Sequence, residues 1–318
     1  MSETLAAPEV TGETPVEAAE PLALTPHVAL GRVIMLVNPA SGGVGPDAPA
    51  QAEEILKEYG LEATVVTLEG ERFDEQVDAA FAAEPDVLLV LAGDGTAGTI
   101  ASRAGPMGPL VAPLPGGTMN MLPKALYGTG DWKAALRLAL SEGAEVSVSG
   151  GEVEGHVFYC AAILGSPALW APAREAVREG DFGLAWTYAR RALKRSFTGR
   201  MRYALDGGDS RRVEAMVFIS PMISRAMDEP VGLEAAAMST HGAAEAIRLL
   251  AHAVFDDWRK DAAVRTRPTK RAVIRARSRI PAVIDGEPAL LGREATVVFR
   301  PRAFRALAPL PPAAEDTV

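Results

Sequence analysis

Three short segments of this 318-residue chain combine glycine with hydroxyl or amide side chains: Asn38-Pro39-Ala40-Ser41-Gly42-Gly43, Gly93-Asp94-Gly95-Thr96 and Pro115-Gly116-Gly117-Thr118-Met119-Asn120. A further hydroxyl, Thr67, ends the short run between the first two. Glycine lets backbone N–H groups approach an anion closely, and Ser or Thr adds a hydroxyl donor. Such loops brought to one place would cradle a polyphosphate. Asp94 fits that chemistry only with a partner, because a carboxylate beside phosphates repels them unless a cation intervenes. Its uses would be to hold Mg²⁺, often through water, or to polarise an attacking hydroxyl. A plain helix N-cap is the alternative. Late in the chain, Asp285-Gly286-Glu287 offers two more carboxylates, although Asp-Gly is also a common hairpin turn.

The elements around the loops decide whether they meet. Val33–Val37 and Val87–Ala92 are unbroken apolar runs, as buried parallel strands are. Ala63–Leu68 and Leu110–Leu114 also read as strands. Gln51–Tyr59, Phe73–Ala82 and Thr96–Arg103 have helical patterns between them. Alternating strands and helices predict a parallel sheet with helices on both faces. Ligands of such sheets bind at the carboxyl ends of the strands, where all four segments fall. A helix starting at Thr96 or Met119 would point its positive dipole end at the same place.

From Glu145 the pattern becomes β-rich and partly alternating. Strands are expected at Val146–Val153, Val157–Ile163, Met201–Leu205, Val213–Ile219, Val273–Arg277, Ala282–Ile284 and Ala295–Phe299. Helices are expected near 173–194 and 242–258. The predicted organisation is a leader over 1–28, an α/β domain over 29–143, a mostly antiparallel β domain over 144–300, and a loose proline-rich tail over 301–318. The leader is rich in Ala, Pro, Glu and Thr and reads as disordered. It lacks the basic and apolar regions of a secretory signal.

Composition excludes several classes of function. At 48% hydrophobic and 23% charged residues the chain is globular, and its longest apolar stretch is too short to span a bilayer. A single cysteine, Cys160, rules out a disulfide scaffold and fits a reducing compartment. Cys160 lies in an apolar run, as a packed residue rather than a nucleophile. The net charge is −9, but it is uneven: 187–202 holds six basic residues and no acid, and 258–279 holds nine against Asp261. Trp186, Tyr188, Arg190, Arg191, Lys194, Arg195 and Phe197 mix rings with cations, as an interfacial surface for anionic lipid does. A solvated helix face is the alternative. No nucleic-acid motif accompanies these charges.

Gly93-Asp94-Gly95-Thr96 after a buried strand, with Pro115-Gly116-Gly117-Thr118-Met119-Asn120 one strand later, resembles the diacylglycerol kinase catalytic domain family, whose superfamily includes sphingosine, ceramide and NAD kinases. The opening Asn38-to-Gly43 segment, Asp285-Gly286-Glu287 and Phe158–Gly165 extend the resemblance over roughly residues 31–302. It implies a NAD-kinase-like first domain, a mostly antiparallel β second domain and a cleft between them. It implies ATP and Mg²⁺, with a lipid alcohol as acceptor. Asn38, Ser41, Gly42 and Thr67 would lie near the nucleotide. Gly93, Asp94, Gly95, Thr96, Gly117, Thr118 and Asn120 would hold phosphates, and Asp94 the metal. Asp285 or Glu287 would be the general base. The chain departs from the family at Ala92, at Gly98-Thr99 where Asn-Glu is frequent, at Met121 where Asp is frequent, and at Val231, where an Asp contributes to a second metal site.

Diacylglycerol is the default acceptor implied. Met121 keeps ceramide or a sphingoid base open, and a non-catalytic lipid- or nucleotide-binding relative is the reading from another class. The expected location is the cytoplasmic face of a membrane, peripherally bound. The chain has no Gly-x-x-x-x-Gly-Lys-Ser/Thr. Gly43-to-Ala48 nominally fits a dinucleotide fingerprint but leaves the later loops unexplained. Asp181-Phe182-Gly183 lacks the companion motifs of protein kinases.

Overall fold

The computed structural model describes residues 28–165, 168, 201–224, 231–238 and 264–310. The leader to residue 27, both helices expected near 173–194 and 242–258, and the basic-aromatic segment through residue 200 lie outside them.

β1 (Val33–Val37) is buried at every residue. α1 (Ala48–Glu58), β2 (Ala63–Thr67), α2 (Phe73–Ala82), β3 (Val87–Ala92), α3 (Asp94–Ala104) and β4 (Leu110–Pro115) follow in alternation. The four strands run parallel in the order β2-β1-β3-β4. Alternate strand residues point to opposite faces, and each face has its own core. On one, Met35 and Leu89 pack with Ile55 and Leu56 of α1 and with Leu136 and Leu140 of α5 (Trp132–Glu142). On the other, Leu36 and Leu88 pack with Val77 of α2, Ile100 of α3 and Leu122 of α4 (Met121–Tyr127). Burial on both faces is why these strands read as continuous apolar runs. Asp131 caps α5, its side chain accepting a hydrogen bond from the Lys133 N–H; the sequence reading did not anticipate that helix.

The remaining strands are β5 (Gly143–Val153), β6 (His156–Phe158), β7 (Ala161–Gly165), β8 (Met201–Leu205), β9 (Arg211–Val213), β10 (Ala215–Ile219), β11 (Leu233–Met238), β12 (Val264–Thr269), β13 (Arg271–Arg275), β14 (Ile280–Ile284), β15 (Glu287–Leu291) and β16 (Glu294–Pro309). β16 joins the two halves. It runs parallel beside β4 at Ala306–Val111, antiparallel to β5, and carries the first sheet on to β13, β8 and β9. The second sheet is six-stranded and wholly antiparallel, in the order β12-β11-β10-β7-β14-β15. Phe158, Leu164, Phe218, Ile274 and Val297 fill the core between the sheets. The architecture is the expected α/β unit joined to antiparallel β structure.

Three expectations are corrected. The single strand expected over Val213–Ile219 is two: β9 ends at Val213 beside β8, and β10 starts at Ala215 in the other sheet beside β7. The loose tail from residue 301 is a strand as far as Pro309, with Phe304, Ala306, Leu307 and Ala308 fully buried. Pro301 lacks a ladder donor, and it sits where the β5–β16 register shifts between Arg300 and Phe304. The single strand expected over Val157–Ile163 is two, β6 and β7, broken at Tyr159-Cys160. The N–H groups of Tyr159, Cys160 and Ala161 turn instead to the Asp285 carboxylate. Among the described residues no helix is long and apolar enough to cross a membrane.

Candidate active site

β1, β3 and β4 end side by side, so the loops after Val37, Ala92 and Pro115 meet at one rim of the sheet. They touch through their backbones. The Gly93 N–H donates to Ser41 Oγ at 3.1 Å, tying the first loop to the second. The Gly43 N–H donates to the Gly116 carbonyl at 2.9 Å, tying the first to the third. A side chain at Gly116 would collide with Val44 and with the Ala92 backbone, and one at Gly117 would lie 2.9 Å from Gly93 Cα. Glycine at 116 and 117 is therefore a packing requirement. Gly117→Ala should push the loops apart, lowering stability by about 1–3 kcal/mol as overpacking does; a thermal melt beside a nucleotide titration checks that both fall.

Asn120 locks the third loop. It adopts a left-handed conformation (φ 51°), which asparagine tolerates. Its Oδ1 accepts from the Gly117 N–H at 2.7 Å, its Nδ2 donates to the Gly117 carbonyl, and its N–H donates to Asp94 Oδ2 at 2.8 Å. Asn120 is buried and both ends of its amide bond Gly117, so it shapes the third loop. Asn38 acts similarly in the first loop: its Oδ1 accepts from the Ala40 N–H, and its own N–H donates to Leu91 O.

Asp94 is the first residue of α3, with Gly93 as the N-cap, and its side chain accepts instead from the N–H of Asn120, the residue that precedes α4. Gly95 and Thr96 follow in the first turn, where N–H groups have no intrahelical acceptor. Thr118 is exposed across from them, its Oγ1 3.7 Å from the position a Gly42 Cβ would take. Thr67 ends β2 exposed on the same rim, level with Val37, and makes no side-chain bond to these loops among the described residues.

The second sheet supplies the opposite wall. Asp285 and Gly286 both have positive φ, 46° and 94°, as the two central residues of a tight hairpin turn between β14 and β15 do. Turn and site coincide: Asp285 Oδ2 accepts from the Tyr159 N–H at 2.7 Å, and Oδ1 from the Cys160 and Ala161 N–H groups at 2.9 and 2.8 Å. Glu287, two residues on, is exposed, and its Oε1 lies 3.7 Å from where a Gly95 Cβ would be. The structure thus sets Glu287 against the first turn of α3. Asp285 is spent on three backbone donors, whereas Glu287 is open to the cleft.

Electrostatics follow the geometry. Burial pushes the Asp94 carboxyl above the usual carboxylate range, opposed by the N–H groups of Asn120, Met121 and Leu122 and by Lys124. Burial also raises Asp285; its three backbone donors oppose the rise, and the charge of Asp94 adds to it. Asp94 Oδ1 is buried without a hydrogen-bond partner. Burial and the same two carboxylates push the Cys160 thiol up, which leaves it inert as a nucleophile. Two buried carboxyls with raised pKa values bind protons more tightly folded than unfolded. Their contribution to stability is fully present below about pH 4, their unfolded range, and is lost as pH rises through the raised folded values. The melting temperature gained on acidifying from neutrality toward about pH 5 should therefore shrink in Asp94→Asn, as calorimetry at several pH values would read.

Tyr159 was missed as a site residue. Its signal lay in the sequence only as a large polar-tipped aromatic inside the apolar run Val157–Leu164.

The sequence model of the diacylglycerol kinase catalytic domain matches residues 32–151. No curated protein matches the chain. In fold, the chain is similar to a crystal structure of a diacylglycerol kinase from Bacillus anthracis, at 14% identity and a TM-score of 0.63, covering 87% of this chain and 96% of that one. A second structure from that organism, described as a candidate diacylglycerol kinase, gives 17% identity and a TM-score of 0.65 over 87% and 97% of the two chains. Residues 32–151, the stretch that the diacylglycerol kinase catalytic domain model matches, carry all three glycine loops and Asp94.

Proposed function

We propose that the chain is an ATP-dependent lipid kinase that transfers the γ-phosphoryl group of ATP to the primary hydroxyl of a lipid, with diacylglycerol as the first substrate to try. The observation that carries this reading is the pairing of an open carboxylate, Glu287, with the first turn of α3 across a cleft whose other wall is built from glycine loops. Phosphoryl transfer asks mostly for positioning and charge neutralisation, plus an acceptor for the hydroxyl proton.

The residues fit a divalent cation. Asp94 Oδ1 is buried and unpartnered, an arrangement costly in a fold unless a cation or its water shell completes it. Asp94 would hold Mg²⁺, which when bound neutralises phosphate charge. The N–H groups of Gly95 and Thr96 and the Thr118 hydroxyl would orient the phosphates. Glu287 would take the hydroxyl proton as the lipid oxygen attacks the γ-phosphorus and ADP departs. Asp285 would anchor the hairpin that carries Glu287. Ceramide or a sphingoid base remains the second acceptor class, favoured by Met121, which is 37% exposed where the family often has Asp. Purified protein with radiolabelled ATP, Mg²⁺ and a panel of diacylglycerol, ceramide and sphingoid bases tests the reading. Nucleotide binding without transfer to any lipid would favour a binding protein.

A lipid kinase must reach its substrate at a bilayer, and docking on the cytoplasmic face of an anionic membrane is part of the proposal. The basic-aromatic segment 186–202 would provide it, supported at its described end. Arg275, Arg202 and Arg212 stand directly opposite one another on β13, β8 and β9. Like charges so placed destabilise a sheet unless an anion offsets them; Arg275 has Glu294, while among the described residues Arg202 bonds Ser210 and no carboxylate. Reversing Arg202 and Arg212 to Glu should weaken co-sedimentation with phosphatidylglycerol vesicles several-fold and leave binding to phosphatidylcholine vesicles as it was.

A further inference from the structure

The two walls of the cleft come from different sheets, so something must set their separation. Among the described residues, only Tyr159 hydrogen-bonds both to Asp285 and to α3. Its N–H donates to Asp285 Oδ2 at 2.7 Å. Its hydroxyl pairs with Ser102 Oγ at 2.9 Å, two turns along the helix that begins at Asp94. The side chain between these contacts is fixed. Tyr159 is 2% exposed, and its ring meets Phe304 of β16 edge-on, with centroids 5.0 Å apart at 82°. The ring also lies along α3 at Gly98, with Cδ2 and Cε2 each 3.9 Å from the position of a Gly98 Cβ. The hydroxyl stays protonated at any working pH, since burial pushes its pKa up to about 12.

We propose that Tyr159 is a positioning residue: a strut that sets the distance between Asp94 at the head of α3 and Glu287 on the Asp285 hairpin, through its hydroxyl on Ser102 and its peptide on the Asp285 carboxylate. It touches neither the nucleotide nor the acceptor. The kinetic part of this inference rests on the kinase reading; the geometric part does not.

Tyr159→Phe removes one oxygen and keeps the ring, so the fold is retained, and Ser102→Ala removes the same bond from the other end. Each should lower kcat by about 5–10-fold, the worth of one hydrogen bond, with the KM for ATP within about twofold. The double variant should be no slower than the worse single variant. A structural role alone would lower the melting temperature and leave kcat per folded molecule unchanged, which overturns the proposal. A second readout needs no activity. Nitroxides placed through Met107→Cys and Leu290→Cys, at sites 89% and 53% exposed, report the distance between the end of α3 and the hairpin by pulsed electron resonance. The distribution should broaden or shift when Tyr159→Phe is added; an unchanged distribution overturns the strut whether or not the parent is active. A broadened distribution in a parent that phosphorylates no lipid leaves the strut standing and removes the kinase reading instead.

Discussion

Asp94→Asn should cost about 10²-fold or more in phosphoryl transfer while the protein remains folded. The two effects separate because of what the side chain touches. Oδ2 accepts from the Asn120 N–H, a bond that an asparagine oxygen keeps. Oδ1 makes no hydrogen bond of its own, and the favourable pull of the Met121 and Leu122 N–H groups on the charge is outweighed by burial. Removing the charge also relieves its repulsion with Asp285. The melting temperature should therefore hold or rise. Mg²⁺ should stabilise the wild-type protein in a thermal-shift series and stabilise Asp94→Asn far less. A variant that binds Mg²⁺ as before and keeps its rate would remove Asp94 from the site.

The second large effect distinguishes the two carboxylates of the hairpin. Glu287→Gln should lower kcat by about 10²–10⁴-fold, the range of a lost general base, with melting temperature and ATP affinity nearly unchanged. Asp285→Ala should act on the fold first. It leaves the N–H groups of Tyr159, Cys160 and Ala161 without their acceptor, at about 1–3 kcal/mol for each buried donor that water does not reach. Urea melts and steady-state kinetics on both variants settle the division. A fully stable but inactive Asp285→Ala, beside an active Glu287→Gln, would reverse the assignment.

These contrasts show what sequence can and cannot carry. The strands of the parallel half were legible because burial on both faces leaves only apolar residues, as at Val33–Val37 and Val87–Ala92, where the bounds agree to the residue. The third loop was legible because close backbone approach leaves no room for a side chain at Gly116 and Gly117. Asp285-Gly286 was legible as a turn, since both residues need positive φ. Its three long-range acceptor bonds were not, because nothing in an Asp-Gly pair records which peptides lie 125 residues away. The break at Tyr159-Cys160 was hidden for the same reason: the local pattern is that of one continuous strand, and a carboxylate from another hairpin interrupts it. Residues 301–309 read as loose from their prolines, yet Phe304 and Leu307 are core, and only the register shift at Pro301 accommodates both facts. Among the site residues, Asn120 had the right type and position, but its buried amide works inward on Gly117.

The proposed chemistry needs a nucleotide gripped at the loop rim, facing a lipid alcohol held before Glu287. Incubating the purified chain with [γ-³²P]ATP, Mg²⁺ and diacylglycerol dispersed in anionic vesicles, and counting label in the lipid phase, tests this most directly. A labelled phospholipid that depends on Mg²⁺ and disappears with Glu287→Gln is the expected result. Label that stays in the aqueous phase for diacylglycerol, ceramide and sphingoid base alike, from protein that binds ATP, would contradict it.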